Sequence, residues 1–223
     1  NRINQTIRAR VLENVQTATQ AQDRFLAACR TEVEQEYREW KDENVESGPI
    51  ERAVSTELMP VFNYFPYLSF SVNSYAYTGG AHGSSGLEGL TFDLRSGEVV
   101  PFEALFETPS PRVLSHIHAE VAQRLVREYG DLLFPENLEQ ATRYHALSAA
   151  PSDEALLEAW NAGNTGFGTS TEFLLVPGGV RVVFQQYEIA PYSSGLPSVF
   201  IPLSVWRDEA AESVRQALSQ NAL

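Results

Sequence analysis

Cysteine is almost absent from this chain, because only Cys29 among its 223 residues carries a thiol. One thiol excludes a disulfide within the chain and a zinc site built on several cysteines. Cys29 lies at an apolar position of a helical pattern, which predicts a small, buried hydrophobic side chain. A nucleophilic thiol needs a base beside it, and the neighbouring Arg30 and Glu32 do not supply one.

Basic residues are scarce as well: 16 Lys and Arg stand against 29 Asp and Glu, which gives a net charge of −13 at pH 7. A surface of this sign repels phosphate groups, so nucleic acid and anionic membranes are disfavoured as partners. The charge favours a cationic partner, although it also serves ordinary solubility. The sequence has no stretch of about twenty apolar residues, and no transmembrane segment is predicted.

The sequence also lacks the common catalytic motifs. It has no G-x-S-x-G, H-E-x-x-H, Walker or G-x-G-x-x-G pattern, so no cofactor is expected. His116 and His118 lie two residues apart on a predicted helix and therefore point to different faces. Such a pair does not easily hold one metal ion, and no metal site is predicted.

The apolar content is sufficient for a folded core, at 43% hydrophobic and 11% aromatic residues. A chain of this length forms one large domain or two small ones. We expect an N-terminal helix-plus-sheet part at residues 1–100 and a C-terminal α+β part at residues 101–223, or one continuous unit. Apolar residues at three- and four-residue steps from Ile3 to Trp40 predict an amphipathic helix of up to about 38 residues, or two shorter ones.

The remaining pattern alternates strands with helices. Strands are predicted at Ile50–Phe62, Tyr67–Tyr77, Gly86–Leu94, Glu98–Pro101, Glu172–Val176, Val180–Gln185 and Val199–Pro202, and helices at Pro111–Tyr129 and from about Ser204. This order predicts an α+β fold: a mostly antiparallel sheet with the long N-terminal helix packed on it and helices inserted between the strands. Tyr67–Tyr77 and Val180–Gln186 are expected to be central strands of one sheet.

Two unusual loops follow these two central strands. The first closes the run Tyr75-Ala-Tyr-Thr-Gly-Gly-Ala-His-Gly83, where Gly79 and Gly80 permit positive φ or a close backbone approach. The second is Tyr187-Glu-Ile-Ala-Pro-Tyr-Ser-Ser-Gly195. The pattern predicts two strands that each deliver a loop, and the residues alone assign no chemistry to either loop.

The candidate site residues come from these loops. His82 and Glu188, if they met, would form an acid/base couple or two metal ligands; alternatively His82 fixes its loop by bonding backbone, and Glu188 caps a strand end or forms an ion pair. Pro191 and Tyr192 combine a rigid backbone with an amphipathic ring, which suits a binding hot spot, or else Tyr192 packs its loop onto the core.

The two loop motifs resemble the RsiV/PdaC-type domain of unknown function. The residues that carry the resemblance are the segment from Tyr75 to Gly83, Phe92-Asp-Leu-Arg-Ser-Gly97, Phe102-Glu-Ala-Leu-Phe106, and Phe184-Gln-Gln-Tyr-Glu-Ile-Ala-Pro-Tyr-Ser-Ser-Gly195 followed by Ile201-Pro202. Ile3-Asn4-x-x-Ile7 is similar to the family's helix that follows a first strand. The resemblance implies an α+β fold of two fused pieces, PdaC-type first and RsiV-like second, in a bacterial domain outside the cytoplasmic membrane.

The resemblance implies two further expectations. One family member is an anti-sigma factor whose outer domain binds lysozyme, and another carries this domain beside a peptidoglycan deacetylase. This chain shows no sigma-binding segment or deacetylase domain, so an envelope ligand-binding module is what carries over. We expect a periplasmic or cell-surface domain, such as a lipoprotein-type protein, that binds a lysozyme-type cationic protein or a cell-wall glycan such as peptidoglycan through Thr78, Gly79, Gly80, His82, Glu188, Pro191 and Tyr192. The alternatives are a small envelope hydrolase that uses His82 and Glu188, and a structural accessory protein.

Overall fold

The computed structural model describes residues 2–7, 9, 20, 53–77, 80–108, 111–139 and 172–220. Residues 2–7 are helical, as the N-terminal pattern predicts. The rest of the predicted long helix lies outside the described residues, and its packing on the sheet stays a prediction. Within the described ranges the chain is α+β with antiparallel sheets, which confirms the predicted fold class.

Seven strands and three complete α-helices organise the described residues after position 52, and residues 135–139 are helical as well. In chain order they are β1 (Ala53–Tyr64), β2 (Tyr67–Tyr77), β3 (Ser84–Asp93), β4 (Glu98–Val99), α1 (Pro111–Glu128), β5 (Glu172–Val176), β6 (Gly179–Val183), β7 (Ser198–Pro202), α2 (Leu203–Trp206) and α3 (Glu212–Ser219). Short 3₁₀ turns occupy Phe102–Leu105, Gly130–Leu132 and Tyr192–Ser194. The predicted elements in these ranges are therefore present, with boundaries shifted by a few residues.

The strands form two sheets, and the expectation of one sheet was wrong. One sheet has the order β1-β2-β3-β4 and the other has the order β5-β6-β7. β2 and β6 are each flanked by strands on both sides, as predicted, but in different sheets. The alternation of apolar residues identifies a half-buried strand, but it does not say which strand lies beside it.

The first sheet is built from hairpins. Phe65 and Pro66, joined by a cis peptide bond, connect β1 to β2. In the last hairpin, Phe92 lies opposite Val99 and Asp93 opposite Glu98. Gly97 closes that turn with a φ of 75°, a conformation that glycine adopts without steric cost. The strands predicted at Gly86–Leu94 and Glu98–Pro101 are therefore present and pair as an antiparallel hairpin.

The second sheet is a three-stranded antiparallel meander. Phe173 on β5 lies opposite Val182 on β6, and Val182 in turn lies opposite Val199 on β7. Gly178, with a φ of 81°, makes the β5–β6 turn that the Pro-Gly-Gly sequence predicts. α1 packs against β7 and covers this sheet. The main hydrophobic core includes the buried side chains of Leu125, Leu175 and Ile201.

The predicted C-terminal helix is interrupted, and the backbone hydrogen bonds explain why. The backbone carbonyl of Glu209 accepts a hydrogen bond from the N–H of Glu107, and the N–H of Ala211 donates to the carbonyl of Leu105. The N–H of Ala210 still donates to the carbonyl of Trp206, as in a helix. The carbonyl of Glu209 and the N–H of Ala211 bond instead to residues 105–107, so the helix does not continue through this segment. Trp206, buried beside Phe106 at a ring-centroid distance of 5.6 Å, fixes this crossing in the core.

The chain divides into two compact units. The first is formed by Asn1–Glu57 with Ser74–Ser84, and the second by Leu58–Asn73 with Ser85–Leu223. The main core and the whole second sheet belong to the second unit. The predicted division into 1–100 and 101–223 stays a prediction.

We expect Gly89→Ala to destabilise the second unit by about 1–3 kcal/mol. A Cβ at Gly89 would overlap the carbonyl of Phe173, where the start of β5 approaches β3. The free energy of unfolding from urea titration measures the effect, with Val99→Ala, at an exposed position of β4 in the same unit, as the control. Equal unfolding midpoints for the two variants would contradict the close approach.

Candidate functional site

The first loop is held by tyrosines of its own motif. The ring of Tyr75 lies against Gly83, where a Cβ would strike the ring. The hydroxyl of Tyr77 donates to the carbonyl oxygen of Gly80 at 2.9 Å. The repeated tyrosine and the glycines of the motif therefore act together to close the loop. Two of the predicted site residues, Thr78 and Gly79, lie outside the described residues.

His82 is exposed and bonds to its own loop. Its Nδ1 lies 3.1 Å from the carbonyl oxygen of Gly83, so the tautomer protonated at Nδ1 donates a hydrogen bond to this oxygen. This is the loop-fixing geometry that the sequence left open as an alternative to catalysis.

Gly80 has a φ of 92°, and no atom lies within 4 Å of the position that a Cβ would take. The constraint at this position is therefore the backbone conformation and not the available space. Of the two roles that the sequence permits for this glycine pair, positive φ or a close backbone approach, Gly80 shows the first.

The second loop begins with a four-residue turn from Gln185 to Glu188. The N–H of Glu188 donates to the carbonyl of Gln185 at 3.0 Å, which closes a β-turn. The Oε2 of Glu188 accepts from the N–H of Gln185 at 2.6 Å. The carboxylate thus caps the end of the strand region, which is one of the two non-catalytic roles that the sequence left open for Glu188.

The side chains of Gln185 and Gln186 bind this turn to β3. Gln185 makes two bonds to Leu87: its Oε1 accepts from the backbone N–H at 3.1 Å, and its Nε2 donates to the backbone carbonyl at 2.7 Å. The Oε1 of Gln186 accepts from the N–H of Ser85 at 3.0 Å. These three hydrogen bonds attach the turn to β3.

Tyr187 occupies the third position of the turn and is presented to solvent. Its φ is 65°, a left-handed conformation that costs a non-glycine residue about 1–2 kcal/mol. Its side chain is 53% exposed, and its ring centroid lies 5.9 Å from that of Tyr192. The anchored turn therefore displays an aromatic side chain, which gives the loop a two-ring surface.

Pro191 and Tyr192 continue this surface. Pro191 is exposed and Tyr192 is half-buried. The carbonyl of Pro191 accepts from the N–H of Ser194 at 2.9 Å, and the carbonyl of Tyr192 accepts from Gly195 at 3.0 Å. Gly195 ends this tight turn with a φ of 65°. Local bonds therefore fix the backbone that carries Tyr192.

The structure places His82 in the first unit and Glu188 in the second. Each of them bonds to the backbone of its own loop. Their predicted pairing as an acid/base couple stays a prediction. The structure does bring together Glu188, Pro191 and Tyr192 on one loop, where Tyr187 joins them.

Two histidines on α1 have separate environments, as their spacing predicts. The Nδ1 of His116 lies 3.3 Å from a carboxylate oxygen of Glu209, and its side chain is 42% exposed. Desolvation lowers the pKa of His118 from 6.5 to about 4, so this imidazole is neutral at pH 7. Among the residues that the structure describes, no group of three or more His, Cys, Asp or Glu could hold a metal ion.

Gln185, Gln186 and Tyr187 were not among the site residues predicted from the sequence. A polar pair directly after the β6 run is a signal for side chains that leave a strand and bind elsewhere. No signal identifies Leu87 as the acceptor, because the two segments are far apart in sequence. The positive φ of Tyr187 is equally invisible, since glycine or asparagine is the residue that predicts it.

Two family models match the chain. The model described as Deacetylase PdaC matches residues 1–85, and the model described as a protein of unknown function, DUF3298, matches residues 124–204. The predicted resemblance to the RsiV/PdaC-type domain is therefore confirmed. No curated protein matches the chain.

Two solved structures of DUF3298 proteins match the chain. A family member from Bacteroides fragilis is 18% identical with a TM-score of 0.56, and the match covers 92% of this chain and 73% of that chain. A family protein from Pseudomonas aeruginosa is 20% identical with a TM-score of 0.39, and its match covers 80% of this chain and 69% of that chain. At 18% identity, the Bacteroides match shows a common fold alone. In the described part of the chain, no helix is long and apolar enough to span a bilayer.

We expect Gly80→Val to destabilise the first loop by about 1–3 kcal/mol, because valine does not adopt a φ near 90° without strain. Gly80→Asn is the matched variant and should cost less, since asparagine tolerates positive φ better. Hydrogen exchange of the amides from residue 80 to residue 84 measures the local effect. Equal exchange rates in the two variants would show that the backbone conformation does not matter.

We expect His118 to make the stability depend on pH between about 6.5 and 4. The unfolded imidazole takes up a proton below pH 6.5, whereas the folded one stays neutral down to about 4. Its contribution is therefore complete above pH 6.5 and is lost as the pH falls to about 4, by at most about 3 kcal/mol. His118→Gln should lose less stability between pH 7 and 4.5 than the native chain in urea titrations. Parallel losses would contradict the lowered pKa.

Proposed function

We propose that this chain is a non-catalytic binding domain that acts outside the bacterial cytoplasmic membrane and recognises a lysozyme-type cationic protein. The observation that supports binding is the Tyr187–Tyr192 pair, with ring centroids 5.9 Å apart on a loop whose backbone is fixed by local bonds. The location outside the membrane follows from the resemblance to envelope proteins. The coarser description, a PdaC and DUF3298 type of domain, rests on the family matches.

Aromatic anchors on a rigid backbone are typical of binding hot spots. Tyrosine buries a large area with few rotatable bonds, so little conformational entropy is lost when a ligand covers it. Tyr187 is 53% exposed in this structure and is available for such burial. The backbone of Tyr187 is held in an unfavourable conformation by the turn around it, and strain of this kind is common at ligand-binding positions.

Net charge supports the cationic class of partner. A charge of −13 attracts a basic protein over about 10 Å at 0.1 M salt and raises the association rate. Any acidic protein shares this attraction, so the charge supplies no specificity. We assign specificity to the aromatic loop and the rate of encounter to the charge.

A cell-wall glycan is the second ligand class for the same surface. The flat faces of Tyr187 and Tyr192 also suit the apolar faces of sugar rings. A neutral glycan fragment would bind without the salt dependence expected for a cationic protein. Salt dependence therefore separates the two ligand classes in one titration.

Catalysis and a structural accessory role are less supported by the loops. One matched family model is named after a deacetylase, but His82 and Glu188 of this chain each fix the backbone of their own loop. A purely structural role does not account for an aromatic side chain that is exposed in a strained turn. The alternatives are a hydrolase and a structural accessory protein, and the binding experiment distinguishes them from the proposed role.

We expect Tyr192→Ala to accelerate dissociation of a cationic lysozyme by the equivalent of about 1–3 kcal/mol. The association rate and its salt dependence should stay nearly unchanged, because the net charge is the same. Surface-immobilised kinetics at two ionic strengths measures both rates. Tyr187→Ala should act in the same direction, since the two rings adjoin.

Val99→Ala is the control, because Val99 is 43% exposed but lies on β4, outside the aromatic loop. It should leave both rates as they are. Absence of saturable binding by the native chain would exclude a lysozyme as the ligand. Normal binding by a folded Tyr192→Ala protein would move the proposed face to the loop that carries His82.

A further inference from the structure

The outer edge of β3 is covered by side chains along most of its length. Backbone groups of alternate residues point to the same edge of a strand. On this edge the backbone carbonyl of Thr91 accepts a hydrogen bond from the N–H of Val100, beside the short strand β4. Beyond it, the N–H groups of Gly89, Leu87 and Ser85 are bonded by side-chain oxygens.

Three residues of the second sheet and its loop supply those oxygens. Glu172 accepts from Gly89 at 3.0 Å, Gln185 from Leu87 at 3.1 Å, and Gln186 from Ser85 at 3.0 Å. Together they replace a neighbouring strand on this edge. The loop that carries Tyr187 is thus attached to the first sheet through side chains. Each of these side chains can be replaced separately by substitution.

Gln185 differs from Gln186 in one chemical respect. It both accepts from and donates to Leu87, with the donor bond at 2.7 Å. Leu87 presents one donor and one acceptor, so only a side chain that both accepts and donates, as the amide does in this orientation, satisfies both. Gln186 is used on β3 as an acceptor alone. A carboxylate can therefore replace the contact of Gln186 with Ser85 but not both contacts of Gln185.

We propose that Gln185 is the positioning residue of the binding face: its amide bonds to Leu87 hold the 185–188 turn on β3 and thereby fix Tyr187 beside Tyr192. This inference rests on the proposed function for the role of the two tyrosines. The backbone of Gln185 also closes the turn, through its carbonyl to Glu188 and its N–H to the Glu188 carboxylate. One residue thus joins the turn, the capping carboxylate and β3.

The test uses two isosteric substitutions in the full chain, Gln185→Glu and Gln186→Glu. An ionised carboxylate at position 185 faces the Leu87 carbonyl without a proton to donate, whereas a protonated one both donates and accepts as the amide does. The carboxylates on the turn, on β3 and at the start of β5 are Glu188, Glu88, Asp93 and Glu172, and Asp93 is paired with Arg95. Negative charges nearby favour the protonated form of a carboxyl group introduced at position 185. The Q185E defect should therefore be present at pH 7.5 and largely relieved at pH 5.

Two ligand-free measurements report the position of the turn. Amide exchange gives the protection factor of Leu87, and NOEs between the rings of Tyr187 and Tyr192 report their contact. For Q185E we expect the protection factor to fall by about tenfold or more at pH 7.5, the NOEs to weaken, and both to recover at pH 5. Q186E should keep both signals at both pH values, because it retains an acceptor for Ser85.

A third variant keeps the test decisive if Q185E folds poorly. Gln185→Leu removes donor and acceptor together, so its loss of Leu87 protection should be the same at pH 7.5 and pH 5. Native protection of Leu87 in either Gln185 variant at pH 7.5 overturns the proposal. An equal defect in Q186E also overturns it, because the donor bond would then have no special role.

Binding of a cationic lysozyme completes the experiment. We expect the ratio of the Kd of Q185E to that of the native chain to be about ten at pH 7.5 and near one at pH 5. For Q186E the same ratio should be near one at both pH values. A Q185E protein that loses the NOEs but binds normally overturns the positioning role. No saturable binding by the native chain overturns the proposed function instead, while the exchange data still decide whether Gln185 fixes the turn.

Discussion

The pairing of the Gln185 amide with both backbone groups of Leu87 is the contact on which the arrangement of the second loop depends. A strand edge with unpaired N–H and C=O groups is unfavourable when buried and prone to intermolecular pairing when exposed. This chain covers the edge with side chains instead of another strand. As a result the two sheets remain separate, and the loop that follows β6 is attached to the first sheet by side chains.

The same contact relates stability to the proposed function. The residues of the turn divide into polar ones that hold the backbone, namely Gln185, Gln186 and Glu188, and one aromatic residue that is displayed, Tyr187. A left-handed tyrosine persists only where its surroundings over-determine the backbone. The hydrogen bonds of its three neighbours offset that strain. In the first loop Tyr77 and His82 act similarly, since both bond to carbonyls of their own loop.

Acidity and aromatic display act over different distances. Net charge governs encounter with a basic partner and weakens with salt, whereas ring burial governs how long a complex lasts. The two contributions are separable by experiment because they belong to different residues. His118 contributes in another way: desolvation on α1 lowers its pKa, which makes the stability of the fold depend on pH.

The sequence by itself determined the α+β class and most elements of the described ranges, and it permitted the positive φ of Gly80, because these depend on local periodicity, turn residues and steric freedom. It also determined the family resemblance through its two loop motifs. The tertiary structure alone decided that there are two sheets, that the C-terminal helix is interrupted by pairing with residues 105–107, and that Gln185 bonds to Leu87. These features depend on contacts between segments about a hundred residues apart, and a single sequence carries no signal for which donor meets which acceptor. The tertiary structure also decided the exposed position of Tyr187, because neighbouring residues and not its own conformational preference impose its left-handed backbone.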